Sequence, residues 1–176
     1  KAVIAADCEE INLMATSSYV IKKAVAIITA RGGSKRIPHK NIRPFLGRPI
    51  ISYSIQAALS SGAFDEVMVS TDSEEIAQVA REYGARIPFF RSAQTAGDYA
   101  STDEVIYEVL QAYEKQGIRF ERFCCIYPTA PFLTADKLKQ AMSLLDTSES
   151  VMPVVPFSYP PQRGMILEGG RIRRKY

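Results

Sequence analysis

The stretch Ala24-Val-Ala-Ile-Ile-Thr-Ala30, continuing directly into Arg31-Gly-Gly-Ser-Lys-Arg-Ile-Pro-His-Lys-Asn41, decides the fold. Seven residues with almost no polar interruption suit a strand buried on both faces, the signature of a parallel sheet covered by helices. The strand runs into a loop with four cations, Arg31, Lys35, Arg36 and Lys40, within ten residues. Gly32 and Gly33 let the backbone turn tightly and expose N–H groups. Such groups cradle phosphate, and Pro38 stiffens the loop. A triphosphate needs this combination of several donors and several positive charges at one rigid place. The loop matches neither GxxxxGK[ST] nor GxGxxG, so it is neither a Walker loop nor a dinucleotide fingerprint. Taken alone, its charges could also be merely solvated.

Outward from this loop, strand and helix patterns alternate. Pro49 opens the helical pattern ISYSIQAALSSG, with Gly62 at its end. Glu66–Thr71 reads as a second strand. Asp72 or Ser73 caps the helix EEIAQVAREYG, which Gly84 stops. Ile87–Phe90 reads as a short third strand. Ser101 or Thr102 caps a long helix, and Glu104 stands three residues after Ser101 as a capping box requires. Phe123–Tyr127 reads as a fourth strand, Thr134 caps ADKLKQAMSLLD, and Ser150–Val155 reads as a fifth strand. This succession predicts an α/β fold of three layers, Rossmann-like, around a mostly parallel sheet. Right-handed crossovers place the C-terminal ends of the parallel strands on one edge, where ligands bind in open sheets.

Composition bounds the class. The 176 residues suit one domain with room for part of a second, and 47% apolar with 23% charged residues is a soluble globular balance. A net charge of +3 admits an anionic ligand such as a nucleotide but is too weak to argue for nucleic acid, and none is expected as a partner. No apolar run reaches membrane-spanning length. Cys8, Cys124 and Cys125 show no metal-ligand spacing and read as buried free thiols of a cytoplasmic protein, the adjacent pair facing opposite sides of a strand. Three segments are expected: an extension of uncertain role over residues 1–23, a nucleotide-binding domain over 24–158, and the start of a C-terminal region over 159–176.

Arg31-Gly-Gly-Ser-Lys-Arg-Ile-Pro with Lys40-Asn41 resembles the nucleotide-binding signature of the acylneuraminate cytidylyltransferases, the CMP-sugar synthetases. PIISYSI, FDEVMVSTDSEEIA, Arg91 with DYAST, and YPTAPF come in the family's order, so the resemblance runs through most of residues 24–158. It implies transfer of CMP from CTP to the anomeric hydroxyl of a nine-carbon acidic sugar, with release of pyrophosphate. Where synthetases for neuraminate carry Q-P-T-S-P-L-R, this chain has Tyr127-Pro-Thr-Ala-Pro-Phe-Leu133, which puts ordinary sialic acid in doubt. That stretch, Cys124-Cys125 and FSYPPQR (157–163) look like the branch that uses pseudaminic acid. CMP-N-acetylneuraminate and CMP-legionaminate synthesis are the nearer alternatives. A nucleotide-binding fragment without turnover is a further one. An NAD oxidoreductase is disfavoured by the missing GxGxxG.

The resemblance also assigns roles. Arg31, Lys35 and Lys40 would hold the triphosphate and neutralise the leaving pyrophosphate, with Arg31 and Lys40 the catalytic pair. Gly32 and Gly33 shape the loop, while Ser34 and Asn41 would bond phosphate or ribose. Arg91 would reach cytosine, and Ser101 would touch the nucleotide unless it is only a cap. Tyr127, Thr129 and Pro131 would line the sugar side, with a plain core role open for Tyr127. Asp72 is as readily a cap as a functional group. Arg36 reads as solvent-facing, and His39 as a variable loop position. Mg²⁺ is implied, with its carboxylate ligands expected beyond Tyr176 and no metal ligand in this chain. A homodimer is implied as well.

Overall fold

The computed structural model describes residues 3–7, 19–156, 158 and 160–175. In chain order the elements are β1 (Val3–Asp7), β2 (Val20–Thr29), β3 (Pro44–Phe45), β4 (Arg48–Pro49), α1 (Ile50–Ser61), β5 (Glu66–Ser70), α2 (Glu74–Glu82), α3 (Ala93–Ala96), α4 (Thr102–Lys115), β6 (Ile118–Ile126), α5 (Ala135–Leu144), β7 (Ser150–Val151), β8 (Met165–Glu168) and β9 (Arg171–Arg174). The central sheet runs β5-β2-β6-β1-β7. β2 pairs in parallel with β5 on one side and β6 on the other. β1 and β7 extend the β6 side through antiparallel ladders.

The apolar run of β2 is explained by two cores. Ala24, Ala26 and Ile28 face α1, α2 and α5, packing with Ile51, Ile55, Ile76 and Leu138. Val25 and Ile27 face α4, packing with Ile106, Val109 and Tyr113. Alternate side chains therefore enter opposite cores, and each buried Ile contributes about 2 kcal/mol. The same alternation sends Cys124 into the first core and Cys125 into the second. Burial raises both thiols, Cys125 to about 11. Cys8 lies outside the described residues.

Helix starts obey the caps. Ser73, Ser92, Ser101 and Thr134 each accept a backbone N–H of the first turn, and Ser101 with Glu104 closes a full capping box.

Two expected strands differ. Ile87–Phe90 is not a strand: pairing stops at a one-residue bridge between Met68 and Arg86, because Pro88 has no N–H to continue the ladder. The fifth strand keeps only Ser150–Val151, ahead of Pro153 and Pro156. Part of the N-terminal extension is built into the sheet as β1, and the expected boundary at residue 24 falls inside β2, which starts at Val20. Among the described residues no helix is long and apolar enough to cross a membrane.

Register brings the functional edge together. Thr29 pairs with Ser70, and Ile28 with Ile126. The loops after β2, β5 and β6 therefore leave the sheet side by side.

Candidate active site

The loop after β2 is fixed from below. Asn41, in a short 3₁₀ turn over Lys40–Ile42, is buried and donates its amide Nδ2–H to the carbonyl of Arg31 at 2.9 Å. This donation sets the amide orientation and turns Oδ1 the other way. Oδ1 is buried and has no hydrogen-bond partner among the described residues. The Gly32 N–H donates to Asp72 Oδ1 at 2.8 Å. A Cβ on Gly32 would stand 3.0 Å from the Ser73 Cβ, so glycine permits this close approach of two loops.

Arg91 is brought in by the chain after β5. Its backbone N–H donates to the Thr71 carbonyl at 2.8 Å. Its guanidinium donates to Ser70 Oγ at 3.0 Å and to the Ser70 carbonyl at 2.8 Å. Burial pulls the guanidinium below the usual arginine value, opposed by the charges of Asp72 and Glu108. Arginine still remains a cation. From α4, Glu108 accepts the Ser92 N–H at 2.8 Å, the Ser92 hydroxyl at 3.1 Å and the Thr95 hydroxyl. It thereby ties the segment after Arg91 to a rigid helix.

A cavity of about 250 Å³ opens at this edge, lined by Arg31, Lys40, Asn41, Arg91, Ser101, Tyr127 and Thr129 among others. These seven of the expected site residues are thus brought together. Gly32, Gly33, Ser34 and Lys35 do not line it. They form the outer loop, where the Ser34 N–H donates to the Gly32 carbonyl at 2.8 Å. Pro131 lies in a neighbouring, more apolar cavity of about 880 Å³, which Tyr127 and Thr129 also line. Tyr127 is half-buried between the two, its hydroxyl 3.3 Å from Thr102 Oγ1. The Ser101 hydroxyl accepts the Glu104 N–H at 3.2 Å, so it caps α4 and lines the cavity at once. His39 is exposed, sits at φ 51° and meets Glu75 at 3.0 Å.

Sequence reasoning passed over Asp98. It lines the cavity and pairs with two of the loop's cations, Arg31 at 2.9 Å and Lys35. The Lys35 hydrogen bond, with Arg31 nearby, holds its carboxyl below the usual carboxylate range. Its place in DYAST after Arg91 was the available signal.

Among the described residues no group of three His, Cys, Asp or Glu side chains could hold a metal ion. The carboxylates touching the loop are already engaged: Asp72 by Gly32, Asp98 by Arg31 and Lys35, Glu75 by His39. The described residues thus hold no preformed cluster of three such groups, whereas Mg²⁺ on a triphosphate takes only one or two carboxylates beside phosphate and water.

The cytidylyltransferase family model matches residues 25–158. A pseudaminic acid cytidylyltransferase of Campylobacter jejuni subsp. jejuni serotype O:2 is 48% identical over 147 residues, covering 82% of this chain and 63% of the relative. A CMP-N,N'-diacetyllegionaminic acid synthase of Legionella pneumophila is 37% identical, covering 79% of this chain and 60% of the relative. The chain thus spans less than two thirds of the length of these relatives. In three dimensions it is similar to CMP:2-keto-3-deoxy-manno-octonic acid synthetase complexed with CTP, with a TM-score of 0.59 at 23% identity over 70% of this chain and 47% of that one.

Proposed function

The chain belongs to the cytidylyltransferase family, and from that premise we propose that it transfers CMP from CTP to the anomeric hydroxyl of a nonulosonic acid, pseudaminic acid first among them. The observation that carries the reading is the cavity that Arg31, Lys40, Asn41 and Arg91 line together at the sheet edge. The cations are assigned to the phosphate chain, and Asn41, which holds the loop through the Arg31 carbonyl, to ribose or phosphate beside them. Arg91, anchored on Ser70 through two of its donors, would offer the rest to the cytosine carbonyl and ring nitrogen.

In the reaction the sugar hydroxyl oxygen attacks the α-phosphorus in line. A new P–O bond forms, the bond to the β-phosphate oxygen breaks, and pyrophosphate leaves with its electron pair. The hydroxyl proton is released to solvent. Arg31 and Lys40 place positive charge where negative charge grows, and the rigid loop holds the chain in line. Mg²⁺ accompanies nucleoside triphosphates in general and would add positive charge at the phosphate chain. Tyr127, Thr129 and Pro131, shared between the two cavities or facing the larger one, would receive the sugar. The legionaminate relative supports that sugar as the second reading. A cytoplasmic location, where CTP is available, and a homodimer belong to the same reading, the dimer on family resemblance alone.

The test is pyrophosphate release with CTP and a panel of nine-carbon acids, assayed with and without Mg²⁺. The reading expects release with pseudaminic acid above all others. No release with any acid, together with no binding of CTP, would sink it.

A further inference from the structure

We propose that Asp98 is an internal anion that occupies the phosphate-binding cations in the free protein, so that any ligand placing a phosphate chain there must first displace it. The inference rests on reading the cavity as a nucleotide site. Asp98 stands in the short segment between α3 and α4. Its two oxygens are divided between two cations, Oδ1 with Arg31 at 2.9 Å and Oδ2 with Lys35. Arg31 also donates to the Gly97 carbonyl at 3.0 Å. A carboxylate bridging two cations is the arrangement that two phosphate oxygens would take up.

Three features make the contact exchangeable rather than structural. The Asp98 side chain is 35% exposed and that of Lys35 81% exposed, and ion pairs in water are weak. The segment is anchored on either side of Asp98, not at it: Glu108 holds Ser92 and Thr95, and the capping box holds Ser101. Releasing Asp98 would therefore leave the α4 cap in place, with the Arg31 bond to the Gly97 carbonyl the other tie of this segment to the loop. The charge count is also unequal, with two cations facing one carboxylate. A tethered carboxylate outcompetes dilute single anions through its high effective concentration. A triphosphate, carrying several charges on one chain, outcompetes the carboxylate. The competent state is then only a fraction of the free protein, and apparent affinity falls by that fraction. A ligand without phosphate escapes the competition.

The experiment is titration of the protein with CTP by calorimetry in EDTA and with cytidine by ligand-observed NMR. Wild type, Asp98→Asn, Lys35→Ala and the double variant are compared. Asp98→Asn should tighten CTP by roughly three- to tenfold and leave cytidine unchanged. In the Lys35→Ala background the gain should shrink. Unchanged or weaker CTP binding in Asp98→Asn overturns the proposal, since Asp98 would then be inert or would position the cations. Equal affinity of wild type for CTP and cytidine would instead strike the nucleotide reading itself, because the cations would then take no phosphate.

Discussion

Two clusters of charge sit at opposite ends of the paired strands β2 and β5, and their carboxylates live in different surroundings. At the start of β5, Glu66 is buried, its side chain only 2% exposed. It accepts from the Tyr113 hydroxyl at 2.6 Å, Lys22 at 2.8 Å and Arg86 at 3.4 Å. Burial and the Glu66 bond push the Tyr113 hydroxyl well above its ordinary value, so it stays protonated and donates. Beyond the far ends of the strands, Asp98 faces Arg31 and Lys35 in water. The first carboxylate is saturated and fixed, and the second is poised to give way. Burial, more than the number of partners, separates a charge that holds the fold from one that can be exchanged for a ligand.

The comparison can be broken most easily at Glu66. Glu66→Ala should lower stability by about 2–4 kcal/mol in chemical denaturation, because a buried hydroxyl loses its acceptor and two cations lose their partner. Glu66→Gln should recover part of this, since the amide oxygen still accepts from Tyr113. A loss under about 1 kcal/mol would place Glu66 in the same class as an exposed pair. At the other end the effect should appear in binding instead. Lys40→Ala should weaken CTP by about tenfold or more, the worth of a charge-assisted bond, with an unchanged unfolding midpoint. His39→Ala should leave CTP titrations unaltered. Gly32→Ala should reduce stability by about 1–2 kcal/mol, because the loops at Gly32 and Ser73 must part; calorimetric melting would show it. Asp98→Asn should lower stability in denaturation by only about 1 kcal/mol, the free energy that a three- to tenfold gain in CTP binding corresponds to. A loss as large as that of Glu66→Ala would erase the distinction between the two clusters.

The sequence revealed the parts governed by local rules. β2 is legible because both its faces are apolar, and α2, α4 and α5 because Ser73, Ser101 and Thr134 announce their starts. Ile87–Phe90 misleads: its apolar run has the composition of a strand, yet Pro88 ends the pairing that Arg86 begins. β1 had no local signal, since its place between β6 and β7 depends on partners more than a hundred residues away. In the site, Arg31, Lys40 and Asn41 are legible from their clustering in one loop. Asp98 had only its place in DYAST as a signal, because its pairing with that cluster comes from folding, and Glu108 had none, because its tie to Ser92 and Thr95 comes from a helix that only the folded chain sets beside them.

One oxygen joins the two walls of the cavity. The Ser70 carbonyl accepts both the Ala30 N–H at 2.9 Å, where the cationic loop begins, and the Arg91 guanidinium at 2.8 Å. The Arg91 side and the cationic-loop side are thus pinned to a common pivot at the tip of β5. A tilt of that peptide plane would swing both together, keeping the span between the two constant, as calipers do when turned without being opened.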